Sequence, residues 1–257
     1  MPNIPLEDDP CDIIGKAMRG LGINTQELAL KSGLTTQQIT QLLNGATPTN
    51  DLEQIAPSLG LSVKALIGLA AYTPNIDPPA GLEMITSPFG HAGVNSYIIS
   101  ANENAVVFDT GTDSSLILKD LKEKDLNVAA VVITHEHHDH TSGIQDFHNV
   151  PILLPGDLKH GDQYEFGGVS FTALDVSGHA LPARAYFYEN LETPICILGD
   201  SIFAGSMGGT QEPERYQLAL KTIHDNILTL PSQTILGTGH GPLTSVALEM
   251  EHNPFLA

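Results

Sequence analysis

The spacing of apolar residues changes along the chain and divides it into two parts. Between residues 12 and 72, apolar positions recur every three or four residues, beginning with Ile13, Ile14, Ala17 and Met18. This period predicts amphipathic helices, and turn residues divide them into five short ones. From residue 82 onward, short apolar or alternating runs between turn residues predict strands with helices among them. We therefore expect a small all-α module followed by a layered α/β (α+β) domain.

Composition places the boundaries between these parts. Residues 1–11 form an acidic, proline-rich tail, residues 12–72 the helical module, residues 73–81 a linker rich in proline, and residues 82–257 the second domain. The helical module has as many basic as acidic residues, so the tail and the second domain carry the net charge of −19. This charge disfavours attraction to nucleic acid or to an anionic membrane.

The ends and the cysteines of the chain indicate its compartment. The N-terminus lacks the basic start and apolar core of a secretory signal, and no apolar run reaches membrane-spanning length. Cys11 and Cys196 form no metal-type pair and no disulfide framework. We expect a cytoplasmic protein that does not interact with membranes.

The densest group of candidate ligands is the segment Thr134-His135-Glu136-His137-His138-Asp139-His140. It follows the uncharged run Val128–Ile133, which predicts a buried strand, so the ligands begin where that strand leaves its sheet. Imidazole and carboxylate together suit zinc, iron or manganese better than calcium. The spacing alone leaves the assignment open, because His135/His137 and His138/His140 are both separated by one residue.

Three further candidates each follow a strand-like run and stand beside glycine. They are His179, Asp200 and His240. Strand ends from different parts of one sheet converge on one edge, so these side chains can meet the histidine cluster. His91, in contrast, is interpreted as a hydrogen-bonded loop residue, with a place at the rim of the site as the alternative.

The pattern His-x-His-x-Asp-His, followed by Gly-His, Gly-Asp and Gly-His-Gly, resembles the metallo-β-lactamase-fold hydrolases, most of all glyoxalase II (hydroxyacylglutathione hydrolase). Residues 82–257 carry the likeness, which includes Asn95-Ser96-Tyr97 and Phe108-Asp109-Thr110-Gly111. The resemblance implies an αββα sandwich with two metals at one edge. It implies the following ligands: His135, His137 and His179 for the first metal, Asp139, His140 and His240 for the second, and Asp200 for both. Asp109 would orient a ligand through a hydrogen bond.

The same resemblance implies the chemistry. Two divalent metal ions, expected to be zinc with iron or manganese as alternatives, would hold a bridging hydroxide that attacks the acyl carbonyl of a small thioester or related ester. Asp139 is the residue expected to be essential for catalysis. Arg184 is the candidate for binding an anionic substrate, with a surface ion pair as the alternative. The segment Ser206-Met207-Gly208-Gly209-Thr210-Gln211 departs from the Gly-Arg-Thr-Asp that is usual at this place in the family. The arginine is therefore absent, which argues against glutathione as the substrate.

The helical module resembles the helix-turn-helix domain of phage-repressor-like regulators, through segments that include Gln26–Leu34 and Leu42–Gly45. The resemblance implies DNA binding through the third helix, but that helix contains no Lys or Arg for phosphate contacts. A packing or homodimerisation role is the alternative. Two other functions stay open: a mononuclear iron persulfide dioxygenase, and a DNA-binding regulator whose metallo-hydrolase-like domain senses a ligand.

Overall fold

A computed structural model describes residues 4–90 and 93–257, and His91 lies outside this range. The helical module contains five α-helices: α1 (Pro10–Leu21), α2 (Thr25–Ser32), α3 (Thr36–Leu43), α4 (Thr49–Ile55) and α5 (Val63–Gly68). Their ends follow from local chemistry. Asn24 caps α2 by accepting from two backbone amides, and Gly33 ends α2 with a left-handed φ of 75°. Thr35 caps α3 by accepting from one backbone amide, that of Gln38.

Two β-sheets make up most of the second part. The first sheet contains β1 (Leu82–Ser87), β2 (Val94–Ala101), β3 (Asn104–Phe108), β4 (Asn127–Val132) and β5 (Ile152–Leu153), in this spatial order. Next along the chain are β6 (Gln163–Phe166), β7 (Val169–Asp175), β8 (Arg184–Tyr188), β9 (Ile195–Gly199), a separate hairpin of β10 (Ile202–Phe203) and β11 (Ser206–Met207), then β12 (Ile235–Thr238) and β13 (Thr244–Ser245). The second sheet has the order β13-β12-β9-β8-β7-β6.

Alternation along the strands packs the two sheets face to face. In β3, Val106 and Phe108 belong to the core between the sheets, and Val107 belongs to the core on the outer side. In β9, Ile197 faces the central core and Leu198 the other outer core. The remaining helices are α6 (Ser115–Glu123), the short α7 (His138–Thr141), α8 (Pro213–Asn226) and α9 (Val246–His252). Helix α6 covers the first sheet, and α8 and α9 cover the second. The αββα sandwich is therefore confirmed.

The helical module packs directly on the sandwich. Its core includes Ala204 of the second domain, and Leu248 and Phe255 pack against it. A hydrogen-bond network crosses the boundary, because the Tyr72 hydroxyl lies 2.7 Å from the carboxylate of Glu249. Asp8 is not a solvent-exposed tail residue: it is buried and forms an ion pair with Lys16. The helix-turn-helix assignment stays a prediction.

Candidate metal centre

The predicted ligands meet at one edge of the sandwich. His135 to His140 follow β4, His179 follows β7, Asp200 follows β9 and His240 follows β12. Strands β7, β9 and β12 run in the same direction, since β7 and β9 are both antiparallel to β8 and β12 is parallel to β9. Their carboxyl ends therefore share one edge, which is where open sheets of this kind place their sites.

The first group contains His135, His137, His179 and Asp200, and each offers one ligand atom. His137 Nδ1 lies 3.0 Å from His135 Nε2 and 3.1 Å from His179 Nε2. Asp200 Oδ2 lies 3.8 Å from His135 Nε2 and 3.5 Å from His179 Nε2. The three imidazoles and the carboxylate thus point at one volume.

The second group contains Asp139, His140, His240 and again Asp200. His240 Nε2 lies 3.3 Å from Asp139 Oδ2 and 3.4 Å from Asp200 Oδ2. His140 Nε2 lies 3.1 Å from Asp200 Oδ1 and 3.7 Å from Asp139 Oδ2. Asp200 is therefore common to both groups, as a residue that bridges two ions would be.

Two observations show that these groups fit metal ions. Ligand atoms about 2.0–2.1 Å from a tetrahedral ion lie roughly 3.4 Å from one another, which matches the separations within both groups. In addition, within residues 4–90 and 93–257, the buried His140 Nε2 and Asp200 Oδ1 have no hydrogen-bond partner. Buried polar atoms are normally satisfied, so these two atoms fit a role as ligands of a cation. The imidazole and carboxylate donors suit zinc, iron or manganese.

A second layer of hydrogen bonds fixes the orientation of the imidazoles. Asp109, which is buried, lies 2.8 Å from His140 Nδ1 and also accepts from the backbone amide of Thr134 at 2.7 Å. His179 Nδ1 lies 2.8 Å from the Gly209 carbonyl, and His240 Nδ1 lies 2.7 Å from the Gly93 carbonyl. Such contacts select the tautomer that leaves Nε2 free for the metal.

Glycine allows the ligand loops to approach one another closely. A Cβ atom at Gly239 would lie 2.0 Å from Asp200 Oδ1, and one at Gly208 would lie 1.9 Å from the Asp200 carbonyl oxygen. Real side chains do not tolerate such contacts, so only glycine fits at either position. The glycines beside the predicted ligands are therefore part of the site's geometry.

Burial and neighbouring charges shift the pKa values of the predicted ligands in different directions. Burial lowers the pKa of His135 to about 2 despite the nearby carboxylate of Asp200. Burial also disfavours the charged form of His240, but hydrogen bonds with Asp139 and Asp200 outweigh it and raise the pKa to about 10. The pKa of Asp200 lies well below its usual range, because His140 and other histidines outweigh burial. These environments therefore favour the carboxylate form of Asp200 and the neutral form of His135, which are the forms that bind a cation.

A cavity of about 430 Å³ opens beside the first group. The ligands His137 and His179 form part of its lining. The apolar part of the lining is Gly178, Ala180, Leu181 and Pro182, and the polar or charged part is Glu136, Gln211, Glu212 and Arg215. Sequence reasoning did not single out Arg215, because nothing in its neighbourhood along the chain connects α8 with the ligands.

Arg184, the predicted substrate-binding residue, does not line this cavity. Its guanidinium donates to the Asp175 carboxylate at 2.7 Å and to the Leu158 carbonyl at 2.9 Å. The structure thus places Arg184 in an ion pair, as in the alternative interpretation. His138 is exposed and does not belong to either ligand group, and its ring lies 3.0 Å from the Ser142 hydroxyl.

Comparison with known proteins agrees with this fold. Residues 90–154 match the Metallo-beta-lactamase superfamily. The chain is 29% identical over 202 residues to the probable metallo-hydrolase YqgX of Bacillus subtilis (strain 168), an alignment that covers 66% of this chain and 95% of that protein. It is 25% identical over 195 residues to the hydroxyacylglutathione hydrolase GloC of Haemophilus influenzae, which covers 63% of this chain and 91% of that protein.

A solved structure gives the same result for the fold. The crystal structure of the B3 metallo-β-lactamase BLEG-1 superimposes with a TM-score of 0.59 at 27% sequence identity. The superposition covers 68% of this chain and 99% of BLEG-1. No helix among residues 4–90 and 93–257 is both long enough and apolar enough to cross a membrane.

Proposed function

We propose that this hydrolase of the metallo-β-lactamase superfamily holds two divalent metal ions and cleaves a thioester or a related ester. The observation that carries the proposal is the position of Asp200, whose carboxylate belongs to both ligand groups and has a buried oxygen without a hydrogen-bond partner among the described residues. A centre for one iron would use the first group and leave Asp139, His140 and His240 without a role.

The residues of the two ligand groups would hold cations that, when bound, would supply Lewis acidity and lower the pKa of water far enough for hydrolysis at neutral pH. The residues of the chain supply the rest. Asp200 contributes the shared negative charge, and Asp109 holds the His140 ring through Nδ1. His137 and His179 belong both to the first group and to the cavity wall, so a substrate in the cavity reaches the metal centre from that side.

A covalent route through cysteine has no support in the structure. Cys196 is fully buried, and burial raises the pKa of its thiol far above the usual range. Cys11 lies in α1 of the helical module, and burial and the neighbouring Asp12 raise its pKa as well. Since the thiolate is the reactive form, neither residue is a suitable nucleophile.

Metal content and turnover test the proposal together. Protein purified without chelator is expected to contain two ions per chain and to hydrolyse a simple acyl thioester without consuming oxygen. Asp139→Ala is expected to remain folded and to lose hydrolysis, and His140→Ala to retain about one ion, because each removes a ligand of the second group only. Elemental analysis, a thiol-release assay and an oxygen electrode measure these results. One iron per chain with oxygen uptake would instead support persulfide oxidation.

Arg215, on α8, lines the cavity, and we expect its guanidinium to bind a negatively charged group of the substrate. A charge-assisted hydrogen bond contributes about 1.5–3 kcal/mol to binding, which corresponds to roughly 10–100-fold in affinity. Arg215→Gln is therefore expected to raise KM for carboxylate-bearing thioesters by at least about tenfold with little change in kcat. Steady-state kinetics with charged and neutral thioesters measures the effect.

Lys221→Gln is the matched control for Arg215. Lys221 lies on the same helix and is exposed, and it pairs with Asp225 instead of lining the cavity. Its substitution is expected to leave both kinetic constants unchanged. An equal rise in KM for neutral and anionic substrates in Arg215→Gln would contradict recognition of a negative charge.

A further inference from the structure

The N-terminal segment and α1 contact a loop of the hydrolase domain that supports the metal centre. Lys16, on α1, donates from Nζ to the Met207 carbonyl at 2.8 Å, across 191 positions of sequence. Its ammonium also forms an ion pair with Asp8, and Asp8 in turn accepts from the Ser206 hydroxyl at 2.5 Å. The side chain of Lys16 is only 13% exposed. Asp8 of the N-terminal segment and Lys16 of the helical module thus hold Ser206 and Met207 in place.

The same loop orients a predicted metal ligand. Two residues after Met207, the Gly209 carbonyl lies 2.8 Å from His179 Nδ1. Between them, Gly208 passes so close to the site that a Cβ there would lie 2.8 Å from the His179 ring. A displacement of Met207 along this short segment therefore moves the hydrogen-bond acceptor on which the orientation of His179 depends.

The second group of ligands is held by other parts of the chain. His140 is oriented by Asp109, and His240 by the Gly93 carbonyl. Neither contact includes the loop Ser206–Gly209. The second group is consequently a partial internal control. A change in that loop acts directly on His179, whereas it reaches the second group only indirectly, through the backbone of Asp200 beside Gly208 and through the Phe203 ring, whose centroid lies 5.5 Å from that of His240.

Most basic side chains of the helical module also lie beside the hydrolase domain. Lys16 faces the hydrolase domain, and its Nζ lies 4.9 Å above the ring of Phe203. A methyl group at Gly209 would lie 3.7 Å from an Arg19 guanidinium nitrogen, so Arg19 also approaches this loop. Lys64 forms an ion pair with Glu251 of α9. These contacts place three of the module's four basic residues beside the hydrolase domain, and the fourth, Lys31, is exposed on α2. DNA binding would require several basic residues on the free face of the module.

We propose that Lys16 of the helical module is a positioning residue of the metal centre, acting through the Met207 carbonyl and the loop Ser206–Gly209 on the ligand His179. The module then supports the hydrolase site from outside, through the segment that orients His179. This inference rests on the proposed metal centre. Lys16 itself touches neither ligand group: it holds the loop, and the loop holds the imidazole in the orientation that leaves Nε2 free.

The test is metal titration of the apo protein, which requires no substrate. Lys16→Met keeps the length of the side chain but removes the ammonium, and roughly a 10–100-fold loss of affinity is expected at the first group, the range typical for lost support of a ligand. Affinity at the second group is expected to fall much less, because Lys16 reaches its ligands only through Asp200 and Phe203. Cobalt(II) absorption spectra report the altered geometry of the first group independently of activity. Lys16→Arg, which keeps the charge and the donors, is expected to restore part of the affinity.

Two further variants keep the result interpretable. Lys31→Met, at an exposed position of α2, is the matched control and should titrate like the wild type. Asp8→Asn keeps the shape of the side chain, weakens its hold on Lys16 and Ser206, and should weaken the first group less than Lys16→Met does. Unchanged first-group affinity in both Lys16→Met and Asp8→Asn overturns the inference, as does an equal loss at both groups. A wild-type protein that binds fewer than two ions overturns the proposed function instead.

Discussion

Asp200→Asn is expected to lose both metal ions and to reduce the rate of thioester hydrolysis by roughly 10³-fold or more, because metal assistance lowers the activation barrier by several kcal/mol. Asp200 is the one side chain shared by both ligand groups. Asparagine has the same shape, but it carries no charge and has a single oxygen. Replacement therefore removes an anionic ligand from each group at once, whereas loss of Asp139 or His179 affects one group.

The measurement compares metal content and turnover in the same preparations. Asp225→Asn is the matched control, since Asp225 is an exposed residue of α8 paired with Lys221. Both its metal content and its rate are expected to equal those of the wild type. Circular dichroism establishes that Asp200→Asn is folded. A folded Asp200→Asn that retains two ions, or hydrolyses within tenfold of the wild-type rate, would contradict a bridging role.

The strands and the first ligands could be predicted from sequence because the relevant signals are local. The run Val128–Ile133 is apolar and β-branched, and β4 occupies Asn127–Val132. The ligand segment begins at its end, as expected. The predicted strands did not include β6, although its residues Gln163-Tyr164-Glu165-Phe166 alternate between polar and aromatic side chains before Gly167-Gly168. That pattern is a hairpin signal, and β6 does pair with β7.

Sequence patterns could not predict which charged side chains from distant segments contact one another or the site. Arg184 stands five positions after His179, and this proximity suggested a substrate role. In the fold, however, β7 and β8 are adjacent, and register places Arg184 opposite Asp175. Arg215 and Lys16 are far from the ligand motifs in sequence, and packing of α8 and α1 brings them to the site. Their roles depend on tertiary contacts that no local period encodes.

The contact between the two parts of the chain gives the largest expected effect on stability. Glu249, on α9, is fully buried. One of its carboxylate oxygens lies 2.7 Å from the hydroxyls of both Tyr72 and Thr244. The other accepts from the Gly205 amide at 3.0 Å and from Asn253 Nδ2 at 2.7 Å. Glu249 therefore links the helical module, the loop after Asp200 and the C-terminal segment.

Glu249→Ala is expected to lower the free energy of unfolding by about 2–6 kcal/mol, because each buried donor left unpaired costs about 1–3 kcal/mol. The Tyr72 and Thr244 hydroxyls lie 2.8 Å apart and can pair with each other. The change leaves two N–H groups without an acceptor: the Gly205 amide and one of the two on Asn253 Nδ2, whose other N–H donates to the Ser206 carbonyl at 2.7 Å. Urea unfolding of the apo protein measures the change. Glu251→Ala on the same helix, which removes an exposed carboxylate, should leave the midpoint unchanged.

The pH dependence of this difference tests the ionisation of Glu249. Burial raises its pKa from 4.5, although the hydrogen bonds from Thr244, Tyr72 and Asn253 oppose the shift. The folded state therefore holds the proton more tightly than the unfolded state does. As the pH rises above 4.5, Glu249 loses its proton first in the unfolded chain. The stability that Glu249 contributes therefore falls as the pH rises toward the pKa of the folded state. Above that pKa the contribution is constant. The difference between wild type and Glu249→Ala should consequently narrow as pH increases through this window. A difference that widens with pH would mean that the carboxylate, and not the carboxylic acid, is the form the fold favours.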